Sequence, residues 1–550
     1  MHAIPFEHLG FSRLFVDFIR NADTLRPYFP HQAFIHSLDG AVPEQHHPST
    51  QYRSALLDAI SATMQHCSLT PAQNSHLAAL QSPTALTITT GQQAGFLGGA
   101  LYTMLKAFTA LAVAQHLKAR HPQHQIVPIF WIEDNDHDIN EVSRVVLINA
   151  QGDAQTIQIS WDTLPERIPV SDIQYDFSIE SARTEACAVL QHLPQHEAVL
   201  PLITTLYTPG TPIVQAFVGI LQAVFGEHGM LFVSAAELRR RGLFRVLAEQ
   251  ELSELGASEA LVQRTSEKLI SYGYHAQAHP SPINFFLHSN GKRHKLQRVQ
   301  DTNYIQAGDQ RYTHSDLRTL AQNEPERFSP SVLLRPIAQD ALLPNLAYIA
   351  GPGELAYLAQ ARLLYSYFGV HPAVPLARHS ATLVDYRTAR ICEKLGVEPQ
   401  FFLRRYSDVE RDILRQHQHL ELSTALDAAK AAINQAFREL LPHVTALDPT
   451  LSPSTDRTRH QALQSITELE IKIRKAQKRI EEATLNKVHK AATLLFPHNA
   501  LQERALPYLY FVAVAGFETI SSVLQTIAHA PATAHYLCTI SAYAHDARTD

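Results

Sequence analysis

The chain has 550 residues, of which 45% are hydrophobic and 18% charged, and it carries a net charge of −6. That length exceeds what one core can fill and calls for about two to four domains. The acidic balance excludes a general nucleic-acid binder, which needs a basic excess, and no apolar run reaches the roughly 20 residues that span a bilayer.

Cys67, Cys187, Cys392 and Cys538 lie far apart in the chain. None forms a CxxC pair, so a zinc ribbon, a redox motif and a disulfide framework are all disfavoured. The start, MHAIPFEHLGFSRLF, lacks a basic segment followed by an apolar stretch. The expectation is a cytoplasmic protein with no secretory signal and no membrane association.

Residues 1–82 read as mostly helical, with a proline-rich stretch at 26–30. Residues 84–138 carry the organising pattern. A β-branched apolar run at 86–90 meets a glycine-rich turn with Gly91, Gly95, Gly98 and Gly99. A helix-period segment follows, with Leu101, Leu105, Phe108, Leu111 and Ala112 on one face. A second apolar run at 126–132 then stops in Glu133-Asp134-Asn135-Asp136-His137-Asp138. Strand, turn, helix, strand is the βαβ unit of a parallel sheet, and ligands bind outside the carboxyl ends of such strands.

Two β-like runs, 145–148 and 156–159, flank a hairpin signal at Gln151-Gly152-Asp153. Residues 213–225 predict an amphipathic helix and 229–234 a short buried strand, a further step of the same sheet. Residues 238–270 read as helical, and 272–330 alternate short β-like pieces with turns such as Ser289-Asn290-Gly291. The run 347–350 enters Gly351-Pro352-Gly353-Glu354 and a helix over 355–368, and 374–377 reads as a last strand. The division is 1–143, first part of the sheet core; 144–195, a first insert; 196–270, core; 271–330, a second insert; 331–380, last part of the core; 381–497, a helical arm; and 498–550, an apolar helical segment that returns to the core.

The arm rests on heptad spacing. Leu422, Leu426, Ala429, Ile433, Ala436 and Leu440 form one seam, and Ala462, Ile466, Leu469, Ile473, Ala476, Ile480 and Ala483 a second, after a break at 448–455 that holds two prolines. Steps of four and three predict an antiparallel coiled-coil hairpin. One hairpin leaves part of each seam exposed, so a second copy of the chain is the expected partner.

Three segments could carry chemistry. The turn Gly91-Gln92-Gln93-Ala94-Gly95 is placed by its pattern at a helix N-terminus, where free N–H groups favour a phosphate or a carboxylate. It is neither a P-loop nor GxGxxG, and glycines that merely allow tight packing are the alternative. The run 133–138 follows a strand ending in Trp131. Its crowded carboxylates and His137 suit proton transfer or ammonium binding; a solvated loop with a helix cap is the plain alternative, and Asp-x-Asp fixes no metal geometry. Arg335, with Gln339 and Asp340, and the turn Gly351 to Glu354 flank a third strand end, where an arginine can clamp an anion or bridge domains. Gln502-Glu503-Arg504 reads as a charged helix face.

Thr90-Gly91-Gln92-Gln93-Ala94-Gly95 with Gly99-Ala100-Leu101-Tyr102-Thr103, and Phe130-Trp131-Ile132 before Asp136-His137-Asp138, resemble the signature of the BshC family, the cysteine-adding ligases of bacillithiol biosynthesis. The likeness continues through Glu324 to Pro330, Leu334-Arg335-Pro336, Gln339, Leu342-Leu343-Pro344, Gly351 to Glu354 with Ala356-Tyr357, and Leu501 to Arg504. The family pattern has a glutamate where this chain has Asn135, and a proline where it has Ala100.

The resemblance implies a Rossmann-like α/β core with two connecting-peptide inserts and a coiled-coil arm that mediates homodimers. It also implies a reaction, cysteine joined to the amine of glucosaminyl-malate to give bacillithiol. Amide formation from a free carboxylate is uphill in water, so ATP is the expected activator, although neither a HIGH-like nor a KMSKS-like motif is present; no metal is expected. On this reading Asp136, His137 and Asp138 are the catalytic candidates, taking the proton of the sugar amine or holding the cysteine ammonium. Gly91, Gln92, Gln93, Gly95, Tyr102, Trp131, Asn135, Arg335, Gln339, Gly351, Gly353 and Glu354 would bind substrate, with Tyr102 orienting a sugar hydroxyl and Arg335 pairing with malate or a developing oxyanion. A nucleotide-dependent ligase or nucleotidyl transferase acting on another small molecule needs the same loops. A coiled-coil scaffold needs none of them.

Overall fold

A computed structural model describes residues 1–30, 35–38, 50–161, 163–299, 302–416 and 420–540. They form two compact units, one of Met1–Tyr386 with the segment from Ala500 onward, the other Arg387–Asn499. Among the described residues no helix is long and apolar enough to cross a membrane.

The first unit is built on a parallel five-stranded sheet. Its strands are β1 (Leu86–Gln92), β2 (Ile126–Ile132), β3 (Leu231–Ser234), β4 (Asn345–Ala350) and β5 (Val374–Ala377), in the spatial order β5-β4-β1-β2-β3. β2 reads IVPIFWI and every residue of it is buried, as expected of a strand covered on both faces. β1 is richer in threonine, and its buried hydroxyls are satisfied across the sheet: Thr90 donates to Ile349 O at 3.0 Å, and Thr89 donates to Asn345 Oδ1. The helix α1 (Tyr102–Arg120) crosses from β1 to β2 and α2 (Ile213–Phe225) precedes β3. Fully buried aromatics, Phe108, Phe130, Trp131, Phe217 and Phe225 among them, fill the layer around the sheet. Each contributes on the order of 1.5–3 kcal/mol by leaving water.

The chain lays β1, β2 and β3 outward on one side, then returns to place β4 on the other side of β1. The switch point therefore lies between β1 and β4, where the strand ends splay into a crevice. The short helix α3 (Arg335–Leu342) leads into β4, and α4 (Pro352–Gln360) leaves it.

The hairpin Arg144–Ile148 with Ala154–Gln158 forms in the first insert. Two small antiparallel sheets form in the second, one of them Phe328–Pro330, Phe285–Ser289 and Lys292–Lys295. The C-terminal segment is helical at Tyr508–Ala515 and Phe517–Ala528, but it ends in a strand, His535–Thr539, that the sequence did not suggest. That strand pairs with His2–Ile4 and with Ser380–Val384. Residues 541–550 of the expected segment lie outside the described residues.

The second unit starts at Arg387 rather than 381, since 380–384 is a strand of the first. Its hairpin pairs α5 (Leu420–Leu447) with α6 (Ser452–Leu495) through the turn Pro449–Leu451. At 44 residues, α6 is about 66 Å long, using about 1.5 Å per residue. The helices run antiparallel: Lys430 pairs with Glu470, and Arg459 donates to Asn434 Oδ1 at 3.0 Å. The seam departs from strict heptads. Leu440, Leu469 and Ile480 are about half exposed, Ala436 and Ala483 are exposed, and Thr484 and Val488 are buried instead. A single hairpin covers only part of each seam, and the exposed positions lie on the uncovered part. The side chain of Leu422 lies outside the described residues.

Candidate active site

At the switch point a cavity of about 630 Å³ opens over the ends of β1, β2 and β4. Gly91, Gln92, Gln93, Tyr102, Trp131, Asp136, His137, Arg335, Gly351, Gly353 and Glu354, all expected from the sequence, line it. The chain leaves β1 through Gln93 and a tight turn over Phe96–Gly98, and α1 begins only at Tyr102. The glycine turn is thus not a helix N-terminus, which corrects the sequence reading. Its glycines serve close packing: a Cβ on Gly91 would sit 2.6 Å from Trp131 O, and one on Gly95 2.7 Å from the Gly99 Cα. Gly95 does not line the cavity.

The carbonyl of Gly91 instead receives a buried cation. Lys106, one turn into α1, donates through Nζ to Gly91 O at 2.8 Å and to Gln92 Oε1 at 3.1 Å, and pairs with Glu354. Glu354 caps α4 by accepting from Gly351 N at 2.6 Å, and it also accepts from Tyr348 OH. Burial would raise this carboxyl, but Lys106 and Arg335 hold it below the usual glutamate range. Arg335 enters from α3, donating to Tyr357 OH at 2.7 Å and Tyr348 OH at 3.1 Å. Gln339 accepts from Arg335 Nη1 at 3.1 Å and does not line the cavity, so it orients the guanidinium from behind.

A second buried pair closes this wall. Arg378 lies over the Tyr102 ring, 5.5 Å from its centroid, and donates to Glu503 Oε1 at 2.6 Å. Glu503 also accepts from Ser380 Oγ and Ala381 N, while Gln502 bonds both backbone groups of Leu383. Gln502 and Glu503 are 0% exposed. They fasten the C-terminal segment to the strand Ser380–Val384, which overturns the reading of 502–504 as a charged helix face. Arg504 reaches the cavity with no ion pair among the described residues.

The acidic run beyond β2 divides its work. Glu133 faces the cavity and accepts from the Trp131 indole at 3.2 Å. Burial pushes its carboxyl above the ordinary range, against the pull of Arg335 and Arg293. Asp134 points away, accepting from Ser234 Oγ and from Ala236 N at 2.8 Å; burial lifts it to about 7. Asn135 is buried beside it and accepts from Arg239 Nε at 2.8 Å, outside the cavity. Asp136 accepts from Arg293 Nη1 and from Gln93 Nε2, each at 3.0 Å. His137 Nδ1 lies 3.6 Å from Asp136 Oδ1, and burial lowers the imidazole. Asp138 is exposed and caps the next helix by accepting from Asn140 N at 3.0 Å; it does not line the cavity.

The structure therefore gathers Asp136 and His137 with the glycine turn, Arg335 and Glu354, and leaves Gly95, Asn135, Asp138 and Gln339 outside. The sequence reading missed Lys106, Arg293 and Arg378 as site residues, and it singled out Glu133 only as part of the run 133–138, with the catalytic roles given to Asp136, His137 and Asp138. Lys106 had a signal, since it is a lysine on the apolar face of a helix-period run. Arg293 had none, because it arrives from a distant insert. Among the described residues no group of three or more His, Cys, Asp or Glu side chains could hold a metal ion.

Two family models cover nearly the whole chain. Residues 1–379 match "Bacillithiol biosynthesis BshC, N-terminal Rossmann-like domain" and 381–540 match "Bacillithiol biosynthesis BshC, C-terminal coiled-coil domain". The chain belongs to the BshC family. A relative from Chlorobaculum tepidum, named "Putative cysteine ligase BshC", is 29% identical over 556 residues, covering 96% of this chain and 97% of its own. A Salinibacter ruber protein of the same name is 28% identical, over 93% of each chain. One from Symbiobacterium thermophilum is 30% identical over 78% of this chain and 80% of its own. The models divide at 379/381, after β5 and at the strand Ser380–Val384 that Glu503 secures. The BshC resemblance read from the motifs, the Rossmann-like parallel core and the coiled-coil region are thus all found.

Proposed function

We propose that the protein is an amide-forming ligase that joins the carboxyl of cysteine to the amine of glucosaminyl-malate, the last step of bacillithiol formation. The observation that carries this reading is a raised carboxyl, Glu133, facing a wall of guanidinium and ammonium groups in one cavity. Together they suit a reaction that must take a proton from an amine while holding anions.

ATP would supply the activation, converting the cysteine carboxylate to an acyl-phosphate or acyl-adenylate. The fit rests on cations that line the cavity unpaired among the described residues, Arg504 and Lys295. The amine nitrogen then attacks the acyl carbon, the C–N bond forms, the C–O bond to phosphate or AMP breaks, and the ammonium proton passes to a base. Glu133 replaces Asp136 as that base in our reading, since Asp136 is committed to Arg293 and Gln93. A raised carboxyl is better matched to proton transfer near neutral pH. Arg335, rigid between two tyrosines, would face the malate carboxylates or the developing oxyanion. Exposed apolar side chains on the arm, Leu440, Leu447, Leu469, Ile471 and Ile480, support a homodimer formed through the coiled coil, which sedimentation of the full chain tests. We place the protein in the cytoplasm.

The test is purified protein with cysteine and glucosaminyl-malate, with and without ATP, following product and AMP or ADP. ATP-dependent product is expected; turnover without ATP removes the activation step. A ligase for another small molecule would leave bacillithiol levels unchanged in cells lacking the protein, whereas loss of bacillithiol with build-up of glucosaminyl-malate supports the reading above.

A further inference from the structure

A second cavity of about 550 Å³ adjoins the first, with His137, Phe286, Arg293 and Lys295 common to both walls. It lies between the two inserts. Arg167, Lys292, Arg293 and Lys295 line it against only two carboxylates, Glu166 and Asp309. Arg293 is spent on Asp136. Arg167, Lys292 and Lys295 have no ion pair among the described residues. Burial holds the imidazoles of His137 and His294 low, so they add no opposing or supporting charge at neutral pH.

A backbone hydrogen bond ties the two inserts together along this groove. Arg167 has φ +62°, the left-handed region that favours glycine and strains any other residue. Its carbonyl accepts from Arg293 N at 2.9 Å, fastening the first insert to the strand Lys292–Lys295 of the second. Arg293 and Lys295 project from one face of that strand, as alternate residues do. Arg293 lies 3.7 Å over the Phe286 ring and reaches Asp136, while Lys295 remains free at the junction of the two cavities. A glycine would meet the demand on φ at position 167; the chain carries a guanidinium there instead.

We propose that this groove is a subsite for a multiply charged anion, feeding the main cavity past Lys295. The chemistry fits a polyphosphate chain or a polycarboxylate. Which of them enters rests on the ligase reading, where the first is the activating nucleotide and the second the malate end of the acceptor.

Calorimetry on the full chain tests it with inorganic triphosphate and with malate as separate probes. Arg167→Gly removes the cation and relaxes the backbone, so the fold is kept or firmed; a Lys292→Gln/Lys295→Gln variant removes charge without touching the turn. A groove that binds triphosphate predicts that both variants lose about tenfold or more in affinity for it, with malate unaffected; a polycarboxylate site predicts the reverse. Either result supports the subsite and selects the ligand. Unchanged affinity for both probes in Arg167→Gly, or no binding of either to the wild type, overturns it. Ligation is measured separately: if the wild type forms no product while the variants still lose anion affinity, the ligase reading fails and the subsite stands.

Discussion

On the β4 side of the cavity, Glu354 is met by Lys106, Gly351 N, Tyr348 and Arg335, and Glu503 by Arg378, Ser380 and Ala381 N. On the β2 side Glu133, half-buried at the cavity wall, receives the Trp131 indole. The first wall holds its carboxylates below their usual range and the second pushes its carboxyl above. Buried charge that is fully paired serves as structure, and removing one partner is costly. A buried carboxyl with a single neutral donor is poised to exchange a proton. The contrast separates the scaffold of this site from its candidate chemistry.

The largest effect tests the paired wall. Lys106→Met should cost about 3–5 kcal/mol in denaturant unfolding, because it strands Glu354 in the interior. Lys106→Met with Glu354→Gln should recover part of that loss, since the stranded carboxylate is gone while Arg335 gives up its own ion pair to Glu354. A single variant that costs under about 1 kcal/mol would break the comparison.

Next comes the unpaired wall. Glu133→Gln should lower ligation about 10²–10⁴-fold with stability unchanged or improved, since the buried group is then neutral. In the wild type the activity limb assigned to Glu133 rises with pH, as the base must be ionised, and its midpoint lies above the ordinary glutamate value. The variant should lack that limb. Asp136→Asn with His137→Ala should cost about tenfold, through loosening of Arg293 and Gln93, and leave the limb in place. If the double variant removes the limb and Glu133→Gln keeps it, the proton acceptor belongs to the Asp136–His137 pair.

How far this was legible in sequence follows from what each signal depends on. β1, α1, β2 and the later αβ steps were visible because buried parallel strands and amphipathic helices write their periods locally. Lysine 106 was visible in principle but reads as a flaw in an apolar face until Gly91 O and Glu354 are placed around it. Arg293 and Glu503 were not, since they reach the site across more than a hundred residues of chain, and no local pattern records that. His535–Thr539 was missed for the same reason, its strand partners lying at 2–4 and 380–384. The heptads identified the arm, and Ala436, Leu440, Leu469, Ile480 and Ala483 are exposed on it, as one hairpin that covers only part of each seam would leave them.

The smallest effect comes from the neighbour of Glu133. Asp134 is more deeply buried and turned from the cavity, and its carboxyl is lifted to about 7. The folded state thus holds this proton more tightly than the unfolded chain does. Its contribution to stability is whole below the ordinary carboxylate pKa and is lost as pH rises from there to about 7. Asp134→Asn can still accept from Ala236 N and can donate to Ser234 Oγ, so it keeps both contacts without the ionisation. The variant should match the wild type below about pH 4 and exceed it by a margin that grows as pH rises to about 7 and then levels off, a flatter profile in thermal unfolding. Ligation at pH 8 should change by less than about threefold, because Asp134 touches no cavity atom and a mispositioned loop is the only route to the chemistry. If Asp134→Asn instead shifts the pH limb of ligation, the proton held by Glu133 is shared along the run, and the two walls differ by a coupled pair of carboxyls rather than by one.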